Sequence, residues 1–285
     1  MGTPVRRPPP SLIAGGLLVG LVVVTALLSF VWTPRSSTHV LISERFLGPG
    51  ERGYLLGSDQ FGRDVFSMLM VGARNTLFVG IVAVGIAVVL GVPLGGLAAL
   101  RRGVPEEVVM RSSDVMLAFP ALLLAILFAA VFRPGTLTAM VAIGLAFTPV
   151  FARLVRGAGL QVMAQDYVTA ARTFGSSSPG IFWRHLLPNV ANVLIVQATV
   201  AFALAILAEA ALSYLGLGTQ PPTPSWGRML NDAQNYLNQS AVLALWPGLA
   251  IALAVLGFNL LGDGLRDVLD PKLQPSESQI RGGLN

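Results

Sequence analysis

The sequence predicts an all-α membrane protein with six transmembrane helices. Of its 285 residues 54% are apolar and only 12% charged, the mean hydropathy is +0.70, and the charges are gathered between long uncharged runs. So small a polar fraction cannot wet the surface of a soluble globule of this length. A bilayer core takes about 20 apolar residues per helix, and spans are expected near 11–33, 75–100, 114–132, 135–153, 188–212 and 241–262. Backbone groups find no partners in lipid, so these runs are read as helices; none alternates like a barrel strand.

The first run follows Arg6-Arg7. It is longer than a signal-peptide core and lacks an Ala-x-Ala cleavage site, so it is read as a retained helix after a short tail, 1–10. The third and fourth runs are separated by Arg133-Pro134-Gly135, a tight break that predicts an antiparallel pair. Ala210 to Gly227 is uncharged but holds Pro221, Pro222 and Pro224 with Gly216, Gly218 and Gly227, and is read as a loop. Residues 274–285 are read as a second tail. Arg101, Arg102, Arg111, Arg153, Arg156, Arg172, Arg184, Arg266 and Lys272 share one side with Arg6-Arg7, which places that side and both termini in the cytoplasm. The opposite side carries Arg35, Arg45, Arg52, Arg63 and Arg74, partly offset by Glu44, Glu51, Asp59 and Asp64.

Several function classes are disfavoured. The chain has no cysteine, and His39 and His185 are far apart, so neither thiolate chemistry nor a metal site is expected. The net charge of +5 fits a membrane protein, and no basic run with interleaved aromatics suggests nucleic acid. No GxxxxGK[ST] loop is present, so ATP is not expected to bind this chain in the P-loop manner. An intramembrane enzyme would bring Asp, His and Ser together within the bilayer, and no Gly-x-Ser-x-Gly or His-Glu-x-x-His pattern occurs. A secondary transporter or channel would show ion-coupling charges within its spans, or an inverted repeat, and Glu209 alone hints at this.

The loop 156–187 is too polar to span lipid. Tyr167 to Phe174 has helical spacing, with Gly175 as its C-cap at a turn with no room for bulk, and a second short helix is expected from about Pro179 into Leu187. Small Ala170 and Ala171 would allow close approach to a partner's cleft, while Trp183 and Arg184 would equally suit a helix resting on lipid headgroups. On the other side, Asp59, Arg63, Asp64 and Arg74 could form one charge network, or Asp59 or Asp64 could simply cap a helix. Asp263, Arg266 and Asp267 lie at helical pairing distances. Glu209, at the outer end of a span, is a candidate for the translocation pathway, where it would meet a substrate ammonium group; the alternative is a structural residue paired at an interface. Gly91 and Gly95 form a small-residue face for close helix packing.

The Ala170-Ala171 pair, Gly175 and Leu187-Pro188 have the spacing of the loop by which permeases of ABC importers dock on their ATPases. Thr169 stands where that family has glutamate, and His185 where it usually has isoleucine. The blocks Gly57 to Ser67 with Gly72-Ala73-Arg74, Asp114 to Pro120, Leu212 to Gly218, Pro224 to Gly227, and Asn259 to Asp267 with Asp270-Pro271 extend the resemblance from about Leu56 to Leu273. Together they resemble the C-type permease of the dipeptide and oligopeptide uptake branch. The resemblance implies the type I importer permease fold, a non-catalytic subunit of the prokaryotic inner membrane, and ATPase coupling through Thr169, Ala170, Ala171, Gly175, His185, Leu187 and Pro188. It further implies a second homologous permease, two ATPase domains that hold ATP and Mg²⁺, and an extracytoplasmic solute-binding protein, with no cofactor in this chain. Relatives of this type import dipeptides, longer peptides, glutathione, nickel complexes or haem.

Overall fold

The computed structural model describes residues 8–269; Arg6-Arg7, Lys272, Asp270-Pro271 and the tail at 274–285 lie outside the described residues. Those residues form α1 (Pro10–Val31), α2 (Val65–Leu100), α3 (Val104–Ala118), α4 (Ala121–Phe132), α5 (Thr136–Met163), α6 (Asp166–Thr173), α7 (Ser178–Ile181), α8 (Leu187–Tyr214), α9 (Trp226–Gln234) and α10 (Val242–Leu269). Five helices are long and apolar enough to cross a membrane: α1, α2, α5, the continuous helix Ser178–Tyr214, and α10. A sixth crossing exists only if α3 and α4, bent by 86° to one another, are taken together.

The third span expected at 114–132 is not a single helix. Ala118 ends α3, Phe119 is extended (φ −91°, ψ 128°), and Pro120 follows before α4 begins. Proline lacks an N–H and pushes the residue before it out of the helical region, so the chain turns there. At 12 residues, α4 is about 18 Å long, well short of a hydrocarbon core of about 30 Å. Two ion pairs then hold α3 against α5: Glu106 with Arg156 at 2.5 Å, and Asp114 with Arg153.

Helix α2 begins ten residues before the expected Asn75 because Asp64 caps it, accepting hydrogen bonds from Ser67 N at 2.8 Å and Ser67 Oγ at 2.5 Å. Its 36 residues give a rod of about 54 Å, longer than the bilayer core. The stretch Ala210 to Gly227 is only partly loop. The helix α8 persists to Tyr214, since the glycines that end it start at Gly216 (φ +77°), and Gly227 lies inside α9, which Ser225 caps.

At the centre, α2 lies against α5, and glycine makes their approach close. A Cβ built on Gly91 would sit 2.6 Å from Thr148 O and 2.7 Å from Phe151 Cβ; on Gly95 it would strike Ala152 O, and on Gly144 of α5 it would lie 2.7 Å from Ile86 Cβ. Around this seam α4 and α8 pack on one side, burying Val79, Ala83, Ile143, Phe151 and Ala205, while α1 and α10 join α2 and α8 on the other through Ala26, Leu77, Ile206 and Phe258. Gly91→Ala is expected to destabilise the chain by about 1–3 kcal/mol, because the colliding atoms, Thr148 O and Phe151 Cβ, belong to the backbone or are bonded directly to it and cannot swing away. Gly16→Ala in α1, which meets nothing within 4 Å, should cost nothing. Thermal unfolding in detergent separates the two; equal midpoints would refute the tight seam.

Candidate functional site

The polar segment between α5 and α8 is a compact hook. In α6 the side chain of Val168 is buried against the body of the chain, while Thr169, Ala170 and Phe174 face outward, Phe174 with 89% of its surface exposed. The helix closes with a paired turn: Ser176 N donates to Ala171 O at 3.0 Å, and Gly175 N to Arg172 O at 2.9 Å. That arrangement needs a left-handed residue, and Gly175 supplies it with φ +83°. A Cβ at Gly175 would meet nothing within 4 Å. The expectation of a crowded turn is therefore corrected: backbone conformation, not lack of room within this chain, selects glycine.

The second short helix expected from Pro179 to Leu187 is likewise not a separate unit. Ser177 caps α7, and the chain continues through a π turn, Phe182–Leu186, directly into α8. Pro188 explains the π turn. It has no N–H to give to Arg184 O, and its ring would collide with that carbonyl in a regular helix, so the preceding turn widens. The carbonyl of His185 accepts from Asn189 Nδ2 at 2.6 Å, and the His185 ring lies 5.8 Å from that of Tyr167, joining the root of α8 to α6. Of the residues expected at the coupling site, Thr169, Ala170, Gly175 and Pro188 are exposed, and Ala171, His185 and Leu187 are half-buried.

At the opposite end of the bundle, Glu209 is 1% exposed. Its Oε1 accepts from Ser213 Oγ at 2.7 Å and Thr219 Oγ1 at 3.3 Å, and Oε2 is buried without a partner among the described residues. Ser213 Oγ in turn accepts from Thr219 N, and Thr219 Oγ1 accepts from Asn75 Nδ2 at 2.7 Å and lies 3.3 Å from Thr136 Oγ1. Next to this cluster, Trp226 Nε1 donates to Leu69 O at 3.0 Å, its ring occupying the space that a side chain at Gly72 would fill. The carboxyl thus knots α2, α5, α8 and the loop before α9 together, and its burial favours the structural role over a place on the translocation path.

The four outer charges do not form one network. Asp59 pairs with Arg63 at 2.6 Å and also accepts from Phe61 N and Arg63 N, fixing the turn before α2. Asp64 is the helix cap. Arg74 stands three turns further along α2 with its guanidinium over the Phe30 ring at 4.6 Å. The partners that sequence reading missed are Asp232, 3.5 Å from Arg63, and Arg228, 3.1 Å from Asp232, both on α9. Burial pushes the Asp232 carboxyl up, against the pull of Arg228 and Arg63. Among the described residues, neither Asp263 nor Arg266 nor Asp267 makes an ion pair.

Residues 91–275, which include the hook and Glu209, Ser213 and Thr219, match the family of binding-protein-dependent transport system inner membrane components. The chain belongs to that family. Similar proteins include a di/tripeptide transport system permease protein DppC of Pseudomonas aeruginosa, 42% identical over 91% of this chain and 88% of the relative. A dipeptide transport system permease protein DppC of Alkalihalophilus pseudofirmus is 40% identical over 90% and 86%, and a glutathione transport system permease protein GsiD of Pectobacterium atrosepticum 39% over 92% and 87%. Among solved structures, a chain of the inward-facing MetNI methionine ABC transporter superposes with TM-score 0.59 and 19% identity, covering 71% of this chain and 96% of that one. The fold is thus that of a type I ABC importer permease, and the chain is a permease subunit of such an importer.

In this permease, Glu209→Gln preserves the acceptor at Oε1 and is expected to leave the purified amount and melting temperature nearly unchanged. Glu209→Leu strands the Ser213 and Thr219 hydroxyls in the interior and should cost about 1–3 kcal/mol. A loss of folded protein equal in both variants would contradict the knot. Gly175→Ala should cost about 1 kcal/mol from the left-handed backbone alone, read as a small fall in melting temperature with no loss of inserted protein.

Proposed function

We propose that this permease is the C-type half of a peptide-class ABC importer, passing peptides or related small solutes delivered by an extracytoplasmic binding protein into the cytoplasm. It pairs with a second, homologous permease and with two ATPase domains that hold ATP and Mg²⁺, and it has no catalytic residue or cofactor of its own. The printed names of its relatives, which specify di/tripeptide, dipeptide and glutathione transport, support the substrate class. Both termini and the hook lie in the cytoplasm, and residues 32–64 with α9 lie outside, as the arginine distribution supports.

The observation that carries the coupling role is the hook's construction: an exposed helix followed by bare Phe174 and joined by a hydrogen-bonded turn to the start of a crossing helix. Thr169, Ala170 and Phe174 dock in a cleft of the ATPase. Closure of the ATPases on ATP moves α6, and Ala171, Gly175, His185, Leu187 and Pro188 transmit that movement into α8. The rim of Tyr167 and Trp183, both exposed, fits the edge of such a cleft.

Phe174→Glu should reduce ATPase copurification and ATP-driven uptake by at least ten-fold while leaving the permease inserted, since it places a charge where an apolar anchor is expected. Undiminished uptake and copurification would overturn the docking role. Orientation has its own check in this cysteine-free chain: cysteines at Ser36 and Gln239 should react with an impermeant thiol reagent in intact cells, and cysteines at Ser112 and Ser177 should not.

A further inference from the structure

A cavity of about 630 Å³ lies between α1 and α2 at the end of the bundle that holds residues 32–64. Its wall is apolar, from Val19 to Phe30 on one face of α1 and from Val71 to Ile81 on α2, and Phe202 and Phe258, stacked with ring centroids 4.2 Å apart, close it at depth. One cation borders it. Arg74 lines the mouth, half-buried over Phe30, with no carboxylate within ion-pairing distance among the described residues.

The dimensions restrict the occupant. From Val19 to Phe30 the lining covers eleven residue steps of α1, about 16 Å at 1.5 Å per residue, which is close to half the hydrocarbon core of about 30 Å. The groove therefore has the depth of one leaflet. Phe30, under the Arg74 guanidinium, is one residue from the end of the apolar helix α1 at Val31, so Arg74 stands at headgroup level. An arginine in that position without a partner is matched by an anionic oxygen, and phosphate suits its planar fork. A peptide would bring a carboxylate but not a leaflet-long apolar tail, and an apolar helix would bring no counter-charge for the guanidinium.

We propose that this groove is a binding site for one phospholipid of the outer leaflet, an acyl chain lying along α1 and α2 and the phosphate held by Arg74. The leaflet assignment rests on the orientation given above, whereas lipid retention is read independently of ATPase coupling, so either can fail without the other.

The test uses the full-length permease, coexpressed with its partner subunits, purified in detergent and washed extensively, with bound lipid counted by native mass spectrometry and chloroform extraction. The wild type is expected to keep one phospholipid per permease. Arg74→Gln should lower that occupancy at least five-fold, Arg74→Lys should restore most of it, and Leu27→Trp, which fills the groove and leaves Arg74 in place, should also empty it. Equal occupancy in wild type, Arg74→Gln and Leu27→Trp would overturn the proposal. So would efficient disulfide cross-linking from a cysteine at Ile81 to the second permease, which would show that protein covers the groove, or release of the lipid by saturating dipeptide. If Arg74→Gln fails to assemble, the Leu27→Trp occupancy decides.

Discussion

The close approach of α2 and α5 is the contact on which the other elements depend. Two long helices can meet backbone to backbone only where one of them has no side chain, and Gly91, Gly95 and Gly144 supply such places at successive levels. In lipid, where burying apolar surface between helices gains little over contact with acyl chains, this kind of shape match takes the place of the hydrophobic effect. Everything else is arranged around the seam. Helix α4 leaves α5 through Arg133-Pro134-Gly135 and folds back on it, α3 is fixed to α5 by Glu106–Arg156 and Asp114–Arg153, and α8 packs on both seam helices.

From that fixed pair the chain builds one extended lever. The helix from Ser178 to Tyr214 is unbroken for 37 residues, about 55 Å at 1.5 Å per residue. Its inner end is the hook and its outer end the Glu209 knot. The π turn forced by Pro188 widens the helix without breaking it, so α7 and α8 form one continuous helix, and α6 is attached to it through the Gly175 turn. At that outer end, the Glu209–Ser213–Thr219–Asn75 chain fastens the lever to α2, and the Asp59–Arg63–Asp232–Arg228 run fastens α9 to the turn before α2.

Much of this was legible in the residues. Five of the charge-free runs overlap the five helices long and apolar enough to cross a membrane, because lipid imposes a length and forbids charge, and Gly175 at the end of α6 followed from its place after a short helical repeat. What escaped had a physical reason in each case. The start of α2 at Val65 was hidden because a helix that outgrows the bilayer is free to carry Arg74 and Asn75. The bend at Phe119-Pro120 fell inside an uncharged run, where hydropathy counts apolar residues and ignores the missing N–H. Asp232 and Arg228 lie some 170 positions from Asp59 and Arg63, beyond any local pattern. The proline-rich stretch before Gly227 obscured the fact that helix-breaking residues begin only after Tyr214.

In the proposed coupling, Ser178–Tyr214 moves as one rigid body about the α2–α5 seam when the ATPases close. Spin labels at Ser177 and Tyr214 in the assembled transporter, with distances read by pulsed dipolar spectroscopy before and after trapping with an ATP analogue, test it directly. The distance between these two labels should stay unchanged, and that from Ser177 to a label at Ser112, on the seam-bound α3, should change. A change between Ser177 and Tyr214 of several ångströms, with the Ser177 to Ser112 distance fixed, would contradict it.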